Sequence, residues 1–152
     1  MRLSSGLQVD LRIVPEESFG AALQYFTGSK AHDIALRARA VARGWKLNEY
    51  GLFDEGGKVL ARKTEAEIYA RLGLSFIPPE LREDQGEIAA AEAGNLPDLV
   101  ELSDIRGDLH VHTDWSDGKA PLAVMVAEAK KRGLSYIAVT DHAKFSQMIP
   151  GL

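Results

Sequence analysis

Apolar and polar residues alternate over 7–14. Leu7, Val9, Leu11 and Ile13 fall on one face, and Gln8, Asp10 and Arg12 on the other. A period of two predicts a strand with one polar face, ended by Pro15. The period then lengthens. Phe19, Ala22, Leu23 and Phe26 recur at helical spacing and predict a helix over 16–26. Thr27-Gly28-Ser29 breaks it. Ser29 is placed to cap a second helix over about 30–43, with Ile34, Ala38 and Val41 as its stripe and Gly44 as its stop. Residues 45–53 and 58–62 read as a hairpin around Glu55-Gly56-Gly57. Thr64 followed by Glu67 is a capping box for a helix to Leu72, closed by Gly73.

Pro78-Pro79 interrupts regular structure, and a polar stretch follows with one short helix expected at 85–93. Residues 107–113 then form a strand. Pro121 opens a helix over 121–132 that carries Leu122, Met125, Val126 and Ala129 on one face. Residues 135–140 form a nearly all-apolar strand, which predicts burial on both faces. Strand, helix and strand at this spacing make a parallel βαβ unit.

Composition narrows the class. The chain has 152 residues, 45% hydrophobic and 26% charged, which is globular rather than disordered. With no cysteine there is no disulfide scaffold, thiolate metal site or cysteine nucleophile. No run approaches the roughly 18 apolar residues of a membrane span. The first residues lack the apolar core of a secretion signal, so the cytoplasm is the expected compartment. Net charge is −4, but it is unevenly spread. Residues 30–46 hold five bases and one acid, whereas 80–106 hold eight acids and two bases. The basic helix is either a phosphate-binding face or a solvated one. The acidic stretch reads as a linker.

Two clusters carry candidate chemistry. His110 and His112 lie two apart on one strand and so share a face. Asp117 follows in the next loop, and His142 stands just past the next strand, after Asp141. Sites in parallel α/β folds form at the C-terminal strand ends. Imidazole and carboxylate there suit zinc, manganese or iron, and a bound metal would supply hydroxide to a phosphate ester. Polar filler is the plain alternative. Asp141 is placed to orient a ligand through a hydrogen bond. The second cluster is Tyr25-Phe26-Thr27-Gly28-Ser29. An aromatic face packs on a sugar or base, helix N-terminal amides favour phosphate, and Arg37 and Arg43 are spaced to reach a phosphate backbone. An aromatic core stripe is the alternative.

Both clusters resemble known families. GDLHVHTDWSDG followed by YIAVTDH looks like the opening motifs of a PHP domain, a distorted β/α barrel of metal-dependent phosphoesterases. The resemblance implies that His110, His112, Asp117 and His142 are ligands of zinc or manganese. VDLRIV, FGAALQYFTGSKAHDIALRARA and GWKLNEYGLF resemble the end of the palm and the thumb of family X DNA polymerases. That implies a catalytic carboxylate at Asp10 for magnesium or manganese. It also implies a nucleotide site lined by Tyr25, Phe26, Gly28 and Ser29, and a DNA contact at Arg37. Lys30 departs from the acidic residue of the vertebrate pattern and is a candidate nucleotide contact; Asp33 stands where that pattern has Asn.

The expected architecture is an α+β thumb joined to an α/β unit, the first βαβ of a PHP-type barrel. The expected pieces are a palm strand over 1–14, a thumb over 15–80, an acidic linker over 81–104, and the start of a PHP domain over 105–152. The implied partners are duplex or gapped DNA and a deoxynucleoside triphosphate, with no membrane; the oligomeric state is left open. The resemblance implies gap-filling nucleotidyl transfer with a PHP 3′–5′ exonuclease or phosphoesterase. The isolated chain is expected to be inactive, because one palm carboxylate cannot hold two metals. Two rivals remain: a thumb that only binds DNA, and a stand-alone PHP phosphoesterase.

Overall fold

A computed structural model describes residues 1–143 of the chain. The last residues assigned to the PHP start, 144–152, lie outside the described residues. The chain divides into two units, Met1–Pro97 and a second beginning at Asp98.

In the first unit, α1 (Phe19–Tyr25) and α2 (Lys30–Val41) are followed by three short antiparallel strands. These are β1 (Lys46–Asn48), β2 (Gly51–Phe53) and β3 (Val59–Ala61), in the order β1-β2-β3. Then come α3 (Glu65–Arg71) and α4 (Glu87–Ala93). Leu36, Ala40, Leu47, Leu52, Ile68, Tyr69, Leu72 and Ile77 form one buried core between the helices and the sheet. Both N-cap bonds are made: Ser29 Oγ accepts from the His32 N–H, and Thr64 Oγ1 from the Glu67 N–H, but Glu67 does not return the bond that would complete the capping box.

Several expectations need correction. Residues 7–14 form no extended strand; only an isolated bridge joins Arg2 and Gln8. A strand needs a neighbour for its backbone groups, and among the described residues only Met1–Leu3 pairs with this segment, through Leu7 and Val9. Its apolar face is therefore bare, with Leu7, Leu11 and Ile13 exposed. The single hairpin is in fact two, because Lys46–Asn48 pairs with Gly51–Phe53 before the Glu55-Gly56-Gly57 turn.

The helix stripes are also rotated. In α1 the buried residues are Gly20, Ala21, Ala22 and Gln24, while Phe19, Leu23 and Phe26 are exposed. The cause is local: the N–H groups of Gly20 and Ala21 donate to the carbonyls of Lys63 and Arg62, which fixes the inward face. In α2 the buried residues are His32, Leu36 and Ala40, and Ile34 and Val41 face solvent. A buried histidine sets this face, and hydropathy alone scores it as polar.

The acidic stretch is not a loose linker throughout. Arg82, Glu87 and Ala91 are buried, and residues 81–97 belong to the first unit.

In the second unit, β4 (Gly107–Val111) leads through a loop to α5 (Leu122–Lys131) and then to β5 (Tyr136–Val139). β4 and β5 pair in parallel, as the βαβ reading requires. Pro121 is the N-cap of α5 rather than its first residue. β5 is not buried on both faces; Tyr136 and Val139 are exposed. Val111 and Thr113 are the buried residues here among those described.

Candidate functional site

The turn between α1 and α2 gathers most of the first cluster. Tyr25 and Phe26 meet edge to face, with ring centres 4.9 Å apart. The Arg37 guanidinium lies over the Tyr25 ring at 5.8 Å, and Arg12 over Phe26 at 5.6 Å. Arg37 Nε also donates to the Asp33 carbonyl. Gln24 Nε2 donates to Asp33 Oδ1, and partial burial pushes the Asp33 carboxyl above its ordinary value despite that bond. Lys30 is exposed at the start of α2. Asp10 is exposed and shares an open hollow with Leu11, Arg12, Phe26 and Met1. The structure thus brings Asp10 beside the aromatic segment.

Gly28 has φ +101, a conformation that favours glycine, and a Cβ there would meet Arg82 Cβ at 2.6 Å. Arg82 is therefore the wall behind the turn. Its carbonyl accepts from the Ser29 N–H at 2.8 Å. Its guanidinium donates to the Ile77 carbonyl and to Glu65 Oε1, and packs over Tyr69 and Phe76.

A second buried group supports the same turn. His32 Nδ1 lies 2.5 Å from Glu87 Oε1, and its Nε2 lies 3.0 Å from the Tyr69 hydroxyl. The carboxylate accepts, so Nδ1 donates to it. Glu87 also accepts from the N–H groups of Asp84 and Gln85. Burial pushes the Glu87 carboxyl up, but these bonds outweigh it and leave it below its ordinary value. Burial raises the Tyr69 hydroxyl. The sequence reading missed Arg82, Glu87 and Tyr69 and passed over His32. Spacing 32-36-40 in α2 was the available signal.

The second cluster assembles at the C-terminal end of β4. His112, Asp117 and His142 bring one ligand atom each to within 4.8 Å of one another. His112 Nδ1 lies 2.9 Å from Asp117 Oδ1, and His142 Nε2 lies 3.5 Å from Asp117 Oδ2. Yet His112 Nδ1 is buried and makes no hydrogen bond. It is near the carboxylate but not aimed along a bond to it, as fits atoms that face a common point. Three such donors suit a divalent cation. Desolvation pushes the Asp117 carboxyl up, but the charges of His112 and His142 hold it below its ordinary value. His110 is not in this triad; its ring stands 4.8 Å from that of His112.

Asp141 acts on the loop rather than on a histidine. It accepts from the Thr113 N–H, the Thr113 hydroxyl and the Ser116 hydroxyl, all within 2.7 Å. Those bonds, from Ser116 first and then Thr113, hold its carboxyl below the ordinary value. They fix the turn that carries Asp117. Gly118 closes that turn, where a Cβ would collide with the His112 carbonyl at 2.5 Å.

Comparison with known proteins follows the same division. Residues 22–83 match the DNA polymerase beta thumb family, and residues 108–150 match the PHP domain family. The chain matches a polymerase beta thumb followed by the start of a PHP domain. It is 41% identical over 95% of its length to the DNA polymerase/3′-5′ exonuclease PolX of Bacillus subtilis, of which it covers 25%. It is 38% identical to the human DNA-directed DNA/RNA polymerase mu over 50% of its length and 16% of that protein. A crystal structure of Leishmania infantum polymerase beta in a ternary P/T complex aligns with 44% of this chain and 33% of that one, at 28% identity and TM-score 0.41. The chain thus spans about a quarter of its Bacillus relative and less of the human one. The thumb-then-PHP order matches the expected order, and the homologues are family X DNA polymerases.

Proposed function

We propose that the protein carrying this chain fills short gaps in DNA by template-directed nucleotidyl transfer during repair, and removes nucleotides 3′ to 5′ through its PHP domain. The observation that carries this reading is the thumb followed by the PHP start in one chain, at 41% identity to a relative named for both activities. Its site of action is then the cytoplasm, with the DNA. No helix of the described residues is long and apolar enough to cross a membrane.

In this reading the incoming deoxynucleoside triphosphate sits against the turn before α2. Tyr25 and Phe26 pack on its sugar and base, and Gly28 lets the backbone approach closely. The Ser29 oxygen accepts the helix-cap bond, which holds the turn and leaves its O–H to donate to a phosphate. Lys30 is free to meet phosphate, and Arg37, with Tyr25 stacked beneath it, faces the template strand. Asp33 stays tied to Gln24 and fixes the start of α2. Asp10 is one of the carboxylates for magnesium or manganese.

In the PHP start, His112, Asp117 and His142 would hold zinc or manganese, with His110 joining from the same strand. When bound, the metal supplies a Lewis acid and an activated water for phosphodiester hydrolysis. Asp141 meanwhile keeps the Asp117 turn in place.

The test is primer extension on gapped DNA and 3′ end removal by the full-length protein. Tyr25→Ala should weaken extension and spare end removal, whereas Asp117→Ala should do the reverse. Extension and end removal that fall together in both variants would contradict the two-site reading.

A further inference from the structure

Most side chains named above as candidate contacts lie before residue 38, but the first turn of α2 is held from far along the chain. The Ser29 N–H ends on the Arg82 carbonyl, and the Gly28 backbone rests on the Arg82 side chain. One turn later, His32 is pinned by Glu87. Both anchors lie in 82–87, within the acidic stretch that leads to the second unit.

That strap is itself built tightly. Asp84 has φ +55, rare for a residue with a side chain, and Glu87 closes its turn by accepting the Asp84 and Gln85 N–H groups. Glu87 therefore serves two segments at once. It shapes the strap through one pair of bonds and grips α2 through His32. Arg82 is fully buried with its Nη2 unpartnered, held by Ile77, Glu65 and the faces of two aromatic rings. Burying a guanidinium is costly, so its position is strongly determined by those partners.

We propose that Arg82 and Glu87 are positioning residues: the segment 82–87 is a latch that sets the conformation of the Gly28-Ser29 turn, acting through the Arg82 backbone and through His32. The nucleotide part of this inference rests on the reading of that turn as the nucleotide site; the latch itself rests on geometry alone.

Two arms separate these. In the 152-residue chain, amide hydrogen exchange at Ser29 and His32 is compared with that at Ala21, whose N–H donates to Arg62. Glu87→Ala should speed exchange at Ser29 and His32 by about tenfold or more and leave Ala21 protected. If Glu87→Ala unfolds the unit, the isosteric Glu87→Gln gives the same reading with a smaller change. Unchanged exchange at Ser29 and His32 in a folded variant would overturn the latch.

In the full-length polymerase, Glu87→Gln should raise the nucleotide KM by about tenfold, with kcat within about twofold and DNA affinity unchanged. His32→Phe should do the same, and the double variant should be no worse than either single one. Arg82→Lys should recover part of the affinity lost in Arg82→Met. Equal losses in nucleotide KM, kcat and DNA affinity would indicate general destabilisation and overturn the positioning role. A wild-type protein that adds no nucleotide would remove the polymerase reading and the nucleotide part with it, while the exchange arm still decides the latch.

Discussion

The two units place their polar clusters differently with respect to solvent. In the first, His32, Glu87, Tyr69, Arg82 and Glu65 meet one another largely out of solvent, with Arg82 Nη2 left unpartnered. In the second, His112, Asp117 and His142 converge where solvent reaches their side chains, and His112 Nδ1 also lacks a hydrogen bond. A closed network fixes a conformation, whereas an open one leaves room for a ligand. The apolar support differs in the same direction. The first unit has a continuous core from Leu36 to Ile77; α5 of the second buries no residue fully.

The sharpest way to break this contrast is to damage the core. Leu52 is fully buried beneath the first sheet. Leu52→Ala should cost about 2–5 kcal/mol in urea unfolding of the first unit. The zinc response of the second unit should survive.

Next in size is metal binding. Zinc at about a hundred times its dissociation constant should stabilise the second unit by about 2.7 kcal/mol. His112→Ala should abolish that gain. Asp141→Asn should weaken zinc binding by about 10- to 100-fold through the loosened Asp117 turn. Equal zinc stabilisation in wild type and His112→Ala would place the metal elsewhere.

Smaller still is the cap of α3. Thr64→Ala removes the bond to the Glu67 N–H and should cost about 1 kcal/mol, read as a lowered urea midpoint of the first unit alone.

The smallest effect expected is with pH. The folded Glu87 carboxyl lies below its ordinary value of 4.5. Its contribution is therefore complete above that value and is lost as pH falls through the depressed folded one. The urea midpoint of the first unit should drop as pH falls below about 4.5. Glu87→Gln should flatten part of that drop; a steeper drop in the variant would contradict the assignment.

Legibility in the sequence follows the same division. The βαβ unit was readable because β4, α5 and β5 are each local patterns bounded by Pro121 and Gly133, and its histidines carry a motif. The caps at Ser29 and Thr64 were readable for the same reason. The face of α2 was not, because the residue that turns it inward is a histidine whose partner, Glu87, lies 55 positions away. Nothing local marks such a pair. The acidic stretch misled in a related way: charge suggested a solvated linker, but Arg82 and Glu87 are buried by distant partners. The strand at 7–14 had a correct alternation but, among the described residues, only a three-residue neighbour at Met1–Leu3 to pair with, and alternation alone does not make a sheet.

The most direct test of the contrast is a zinc titration of the 152-residue chain followed by NMR of its imidazole groups. Zinc should shift the His112 and His142 signals and leave His32, closed between Glu87 and Tyr69, where it was. A shift of His32, or zinc binding that bypasses His112 and His142, would contradict the account.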